Sequence, residues 1–219
     1  MDKLNKLDNK VCAVMFEFVQ GEGGVIPLQQ SFVNAIMLEC AKRDILTIAD
    51  EVQTGVGRTG KLLTSELYNV KPDITTLAKG LAGGVPIGVC LANKKCSEVL
   101  GKGTHGSTFG GNPISCAGGN AVLDKVTKPE FLEEVRKKGE YFREKLVQID
   151  EVEGVDGLGL MIGVRLKTKK AADVLNKCFE NGLLILTAKD KLRFLPPLNI
   201  SYEQIDKGLA ILKKVLDEK

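Results

Sequence analysis

Apolar residues fall in short dense runs along the first half of the chain and in helical periods along the second. "CAVMFEFV" (12–19), "ILTIAD" (45–50), "DITTLA" (73–78) and "PIGVCLAN" (86–93) have strand length and read as buried strands. Between the first two, "QQSFVNAIMLECAKRD" repeats Val33, Ile36, Met37, Cys40 and Ala41 at helical spacing, which predicts a helix with one buried face. Continuous apolar strands separated by helix-length segments predict a parallel α/β sheet. Ligands of such sheets gather at the carboxyl ends of the strands. The residues just after each run therefore matter most: Gln20 to Gly24, Asp50 to Gln53, and Lys79.

From about residue 128 the pattern changes. "KPEFLEEVRKKGEYFREKLVQI" is a charged amphipathic helix leading away from the glycine-rich region, and a domain boundary is expected at 126–128. The chain then divides into 1–127 and 128–219. The second part predicts a strand at "GLMIGVRL", a helix over 169–181, short strands at "LLILT" and "KLRFL", and a last helix opened by Ser201. There "SYEQ" fits a capping box, and Ile205, Leu209, Leu212 and Leu216 line one face. This is a small α+β domain.

Composition narrows the function classes. With 219 residues, 43% of them hydrophobic, the chain can fill a core and is expected to be globular and soluble. The 31 basic and 28 acidic residues are interspersed, and three Tyr, eight Phe and no Trp offer few stacking platforms, so neither nucleic acid nor membrane is indicated as a partner. Six cysteines at 12, 40, 90, 96, 116 and 178 form no CxxC pair, and His105 is the single histidine, so the spacing of a metal site is absent. Reduced, mostly buried thiols of a cytoplasmic protein are expected. "MDKLNKLDNK" has no signal-peptide core, and no segment reaches the roughly 18 apolar residues of a membrane helix.

Four features carry candidate chemistry. Lys79 ends an apolar run and opens a glycine-rich turn; a lysine there is either a solvated loop residue or an amine presented at a strand end. Asp50, with Gln53 nearby, ends another run, and either caps a turn or faces a cation, because a buried carboxylate is costly without one. "HGSTFGGNP" (105–113) sets Ser107 and Thr108 hydroxyls among backbone N–H groups, either a turn or a phosphate cradle. Arg193 lies inside an apolar run, where a guanidinium needs an anion, either a structural carboxylate or a substrate's. Together these match the needs of pyridoxal 5'-phosphate (PLP): an amine, a carboxylate for the ring nitrogen, phosphate donors and a cation for the substrate carboxylate. "GVGRTG" also matches GxGxxG, a competing nucleotide-binding reading, but it follows Asp50 instead of opening directly from a strand.

"EFVQGEGG", "DEVQTGVGRTG", "LAKGLAGGVPIG", "HGSTFGGNP" and "LRFLPPLNIS" occur in an order and spacing that resemble the class III PLP-dependent aminotransferases. "GLGLMIGV" and "EQIDKGLAILKKVL" are similar to the acetylornithine subgroup of that family. The resemblance implies a fold-type I α/β architecture, with residues 1–127 as the later part of a PLP-binding large domain and 128–219 as the small C-terminal domain. It implies Lys79 as the Schiff-base lysine, Asp50 at the ring nitrogen and Gln53 at the 3-hydroxyl. Ser107 and Thr108 belong to the phosphate loop, with Thr108 donated across a homodimer interface. Arg193 then binds the α-carboxylate of glutamate or 2-oxoglutarate, and Glu22 pairs with Arg193 when the amino donor occupies the site, so that one site serves both substrates. The implied reaction is amino transfer between N-acetylornithine and 2-oxoglutarate; ornithine, 4-aminobutyrate and succinylornithine are alternative donors, and a non-catalytic PLP-binding or subunit-interaction module is the alternative of another class.

The pattern departs from the family in two ways. Phe18 stands where "EPVQGEGG" has proline. The chain also matches only the later part of family members, so a phosphate-holding loop, an aromatic that stacks on the cofactor and an arginine for the distal carboxylate are expected outside it, on an N-terminal half. Exposed apolar surface is the physical expectation.

Overall fold

The computed structural model describes Leu4, Leu7, Asp8 and residues 10–218. In chain order the elements are β1 (Ala13–Phe16), β2 (Val19–Gln20), β3 (Ile26–Pro27), α1 (Gln30–Lys42), β4 (Leu46–Asp50), β5 (Ile74–Leu77), β6 (Val89–Ala92), α2 (Pro113–Val126), α3 (Pro129–Leu146), β7 (Val152–Leu158), β8 (Met161–Leu166), α4 (Ala171–Glu180), β9 (Leu186–Ala188), β10 (Lys191–Phe194) and α5 (Tyr202–Asp217). They form two compact units. The first takes the described residues through Phe18, Leu28–Gly57 and Lys61–Lys128; the second takes Val19–Pro27, Arg58–Gly60 and the described residues from Pro129. Among the described residues no helix is long and apolar enough to cross a membrane.

The sheet of the first unit has the order β1-β4-β5-β6. β1, β4 and β5 run parallel, whereas β6 pairs antiparallel with β5. Ile36 and Cys40 of α1 pack with Leu4 and Ile45, and Val14 and Phe16 of β1 join them; Val33 is buried on the same helix. Ala41, expected on the buried face, is exposed near the helix end. The run 12–19 is not one buried strand: among the described residues β1 lies at an edge of the sheet and pairs with β4 alone, and Met15 is 58% exposed. Nor is "PIGVCLAN" buried, since β6 forms the other edge and Cys90, Leu91 and Ala92 are exposed. The thiols are likewise not mostly buried. Only Cys40 and Cys178 are, while Cys12 precedes one edge strand and Cys90 lies on the other.

Phe18 lies near the end of the first run. Its side chain is wholly buried, stacked on Tyr68 at 4.9 Å and edge-on to Phe16 at 5.2 Å. Tyr68 donates its hydroxyl to the Leu28 carbonyl at 2.8 Å, so the aromatic cluster also satisfies a polar atom. A proline could not supply this contact.

Beyond Asp50 the chain is held by Glu51. Its N–H donates to the Thr76 carbonyl at 3.0 Å, continuing the β4–β5 ladder by one residue. Its carboxylate, without solvent exposure, accepts the N–H groups of Thr64 at 2.5 Å and Ser65 at 2.9 Å. Gly55 closes the turn, with its N–H on the Glu51 carbonyl at 2.8 Å; a Cβ there would lie 2.6 Å from Leu77 Cδ2. Amide dipoles, with no cation, offset part of the cost of burying this carboxylate. Burial pushes the Glu51 carboxyl above its ordinary 4.5, and the Ser65 and Thr64 N–H groups pull it partly back.

In the second unit β7, β8, β10 and β9 form an antiparallel sheet in that order. α3, α4 and α5 cover one face through Phe142, Leu146, Val174, Cys178, Ile205, Leu212 and neighbours. The capping box of α5 is made as its sequence predicts: Ser201 Oγ accepts from Gln204 N at 3.1 Å and Gln204 Oε1 from Ser201 N at 2.9 Å. The strand expected at "GLMIGVRL" forms as β8, and it pairs in a hairpin with β7, a preceding strand that the apolar pattern did not announce. Gly157 and Gly159 adopt positive φ there, and a Cβ at Gly157 would lie 1.9 Å from the Met161 carbonyl. These glycines dilute the apolar alternation that would mark β7 as a strand.

Two outcomes test this packing. Replacing Phe18 by Ala is expected to cost about 3–5 kcal/mol in urea denaturation, and Phe18→Leu clearly less. For Glu51 the folded pKa lies above the unfolded one, so its stabilisation is full below about 4.5 and is lost as pH rises through the folded value. The stability difference between wild type and Glu51→Gln should therefore shrink as pH rises across that window; a flat difference would contradict it.

Candidate functional site

Lys79 follows β5 and begins a short 3-10 turn, Lys79–Ala82. Its φ is +43°, a left-handed conformation that costs a side-chain-bearing residue about 1–3 kcal/mol. The Leu81 N–H on the Ala78 carbonyl at 3.0 Å and the positive-φ Gly83 and Gly84 hold the turn. The side chain is consequently exposed at the strand's carboxyl end.

Asp50 ends the adjacent parallel strand. It is directly opposite Thr76, three residues before Lys79, and Thr76 is in turn opposite Cys90 of β6. Opposite residues share a face of the sheet, so Asp50, Thr76 and Cys90 form a row. The Val52 N–H donates to Asp50 Oδ1 at 3.0 Å, so the carboxylate does cap a turn and keeps further acceptor capacity. Gln53 is half-buried in the loop pinned by Glu51.

A cleft of about 680 Å³ opens beside Lys79, lined by Gly84, Gly88, Ser107, Gly110, Gly111 and Asn112 among others. A Cβ at Gly84, Gly88 or Gly111 would meet no atom within 4 Å, so side chains there would take up open space. Ser107 Oγ accepts the Gly110 N–H at 3.0 Å, which shapes the loop into a tight turn. Asn112 then caps α2 by accepting the Ser115 N–H at 2.9 Å, ahead of Pro113 at the first helical position. That helix, which the apolar runs did not announce, has its start signals in "NPIS". The structure thus brings Lys79 and Ser107 to one cleft; Thr108, exposed on the same loop, Asp50 and Gln53 do not line it.

Arg193 and Glu22 meet in the second unit. Arg193 Nη1 donates to Glu22 Oε1 at 2.6 Å, with the arginine side chain 10% exposed and the glutamate 73%. Glu22 lies on the turn between β2 and β3, which pair antiparallel. Arg193 on β10 is opposite Gly163 of β8, where a Cβ would lie 2.8 Å from Val25 Cβ, so glycine lets that hairpin approach. Arg193 Nε is buried without a partner. Alongside, Arg58 of "GVGRTG" donates to the Leu160 and Pro196 carbonyls at 3.0 and 2.6 Å, and burial brings its pKa down to about 10. Its role is to bind protein carbonyls, which the GxGxxG reading missed. Lys191 and Arg165 share Asp156 across three strands at 2.8 and 2.5 Å.

The donor set suits an anionic heteroaromatic aldehyde. It offers an amine on a strained turn, a carboxylate with acceptor capacity on the neighbouring strand, and hydroxyl and amide donors around a glycine-lined space. PLP fits that chemistry.

The family model described as aminotransferase class-III matches residues 1–216. Acetylornithine aminotransferase of Haemophilus ducreyi is 52% identical over 211 residues, covering 96% of this chain and 53% of that protein. The crystal structure of N-acetylornithine aminotransferase from Stenotrophomonas maltophilia superposes with a TM-score of 0.87 at 36% identity, over 95% of this chain and 57% of the other. Ornithine aminotransferase from Toxoplasma gondii, whose structure shows partial occupancy of PLP at its active site, superposes with a TM-score of 0.88 at 33% identity, over 98% and 52%. The chain spans about half the length of the curated relatives it matches. By motif, family model and fold-type I α/β architecture, this chain belongs to the class III aminotransferases.

Proposed function

We propose that this chain serves PLP-dependent amino transfer between N-acetylornithine and 2-oxoglutarate, a step of arginine biosynthesis. The observation that carries the reading is Lys79, strained and exposed at the carboxyl end of β5, with Asp50 at the end of the adjacent parallel strand. PLP, when bound, supplies an electron sink that acidifies the substrate's α-C–H bond. Lys79 holds the cofactor and then carries the proton as base and acid. Asp50 keeps the ring nitrogen protonated, Gln53 receives the 3-hydroxyl, and Ser107 and Thr108 receive phosphate, Thr108 in the site of a second copy of the chain.

Arg193 binds the α-carboxylate of glutamate or 2-oxoglutarate. The ion pair at 2.6 Å supports a masking role for Glu22, because a mostly exposed carboxylate on a hairpin turn can swing away when a substrate carboxylate takes its place on the buried guanidinium. A homodimer in the cytoplasm is the working unit, with residues 1–127 carrying the cofactor groups and 128–219 the small domain. The acetylornithine relatives favour that donor, and the ornithine aminotransferase structures make ornithine the second candidate.

The test is direct. Incubation with PLP and borohydride should attach the cofactor covalently at Lys79, seen by peptide mass, and Lys79→Ala should abolish it. Added glutamate should convert bound PLP to its amine form, alone or with the N-terminal segment of a relative. Absence of attachment at Lys79 in both settings overturns the proposal. With turnover in hand, Glu22→Gln should lower KM for 2-oxoglutarate about fivefold while leaving PLP attachment unchanged.

A further inference from the structure

Among the described residues, two buried side-chain polar atoms lack a hydrogen-bond partner: Arg193 Nε and Thr76 Oγ1. A buried hydroxyl that donates to nothing destabilises the fold, and native structures rarely keep one without use. Valine has nearly the same shape and a higher preference for strands, so strand packing alone does not account for threonine here. Thr76 is on β5, directly opposite Asp50, and Lys79 follows three residues later. In a parallel pair such residues present side chains on one face, with strands about 4.8 Å apart. Asp50 Oδ1 is already engaged by the Val52 N–H, which leaves the carboxylate's remaining lone pairs for a donor from its own side of the sheet.

We propose that Thr76 is a positioning residue for Asp50, its hydroxyl donating to the carboxylate once that carboxylate is drawn onto a cationic ring nitrogen. This rests on the role given to Asp50 above. The Val52 N–H and the Thr76 O–H then hold the carboxylate from two directions, so that its charge faces the ring in one orientation. In the cofactor-free chain the same hydroxyl is a net cost. The residue thereby exchanges stability for cofactor binding.

That exchange separates the proposal from a merely structural threonine. In the PLP-free chain, Thr76→Val should raise the melting temperature by roughly 2–4 °C, because the unsatisfied hydroxyl is removed. With PLP, the same variant should raise the dissociation constant about tenfold and move the pH midpoint of the bound cofactor's absorbance band upward, since a ring less firmly protonated holds less positive charge. Thr76→Ser, which keeps the hydroxyl, should restore affinity and midpoint. A lower melting temperature for Thr76→Val without PLP overturns the proposal, as does unchanged affinity and midpoint in a chain that binds PLP. A wild-type chain that takes up no PLP, even with a relative's N-terminal segment, overturns the function reading first and this role with it.

Discussion

The first unit depends on a carboxylate that water does not reach. Strand pairing alone would leave the chain after Asp50 free, yet Glu51 spans the following loop and accepts two consecutive amide N–H groups at the start of a 3-10 turn. Its own N–H extends the β4–β5 ladder to Thr76. The two amide N–H groups offset part of what burying this group costs, and breaking either would leave that cost unmet. The loop carrying Gln53 and the strand ends carrying Asp50 and Lys79 are thereby fixed together. Against that background the left-handed Lys79 can be sustained, since its surroundings determine its backbone more firmly than its own preference does.

The second unit solves a related problem with an ion pair. Arg193 lies in a strand whose four residues are all buried, so its charge has to be met from outside the strand. The β2–β3 hairpin brings Glu22 to it, and Gly163 makes room for the hairpin. A buried cation paired with an exposed anion is asymmetric. Removing the anion exposes an anion-binding guanidinium, whereas removing the cation leaves an ordinary surface glutamate.

Several features were readable in the sequence because they follow from local rules. The helix faces of α1 and α5, the capping box at Ser201 and the apolar runs of β4 and β5 come from periodicity and hydrogen-bonding side chains. The runs ending at Asp50 and just before Lys79 also read as strands of one parallel sheet, although their adjacency did not. Other features were hidden. Apolar composition does not distinguish edge from centre, so β1 and β6 read as buried although among the described residues each has one neighbouring strand. Glycines masked β7, and Phe18 read as a departure from a motif when its energetic role is to stack on Tyr68, fifty residues away in sequence.

By itself the sequence determined the family, the strongly periodic helices and apolar strands and the chemical types available, because motifs, periodicity and caps act within a few residues of one another. The tertiary structure decided that Glu51 is held by amides, that Arg193 meets Glu22, that Arg58 clamps carbonyls, and that Thr76 keeps a buried hydroxyl beside Asp50. Each of these depends on which groups are shut away from water together. That is a property of the packed chain, since desolvation acts on neighbours in space and is indifferent to their separation in sequence.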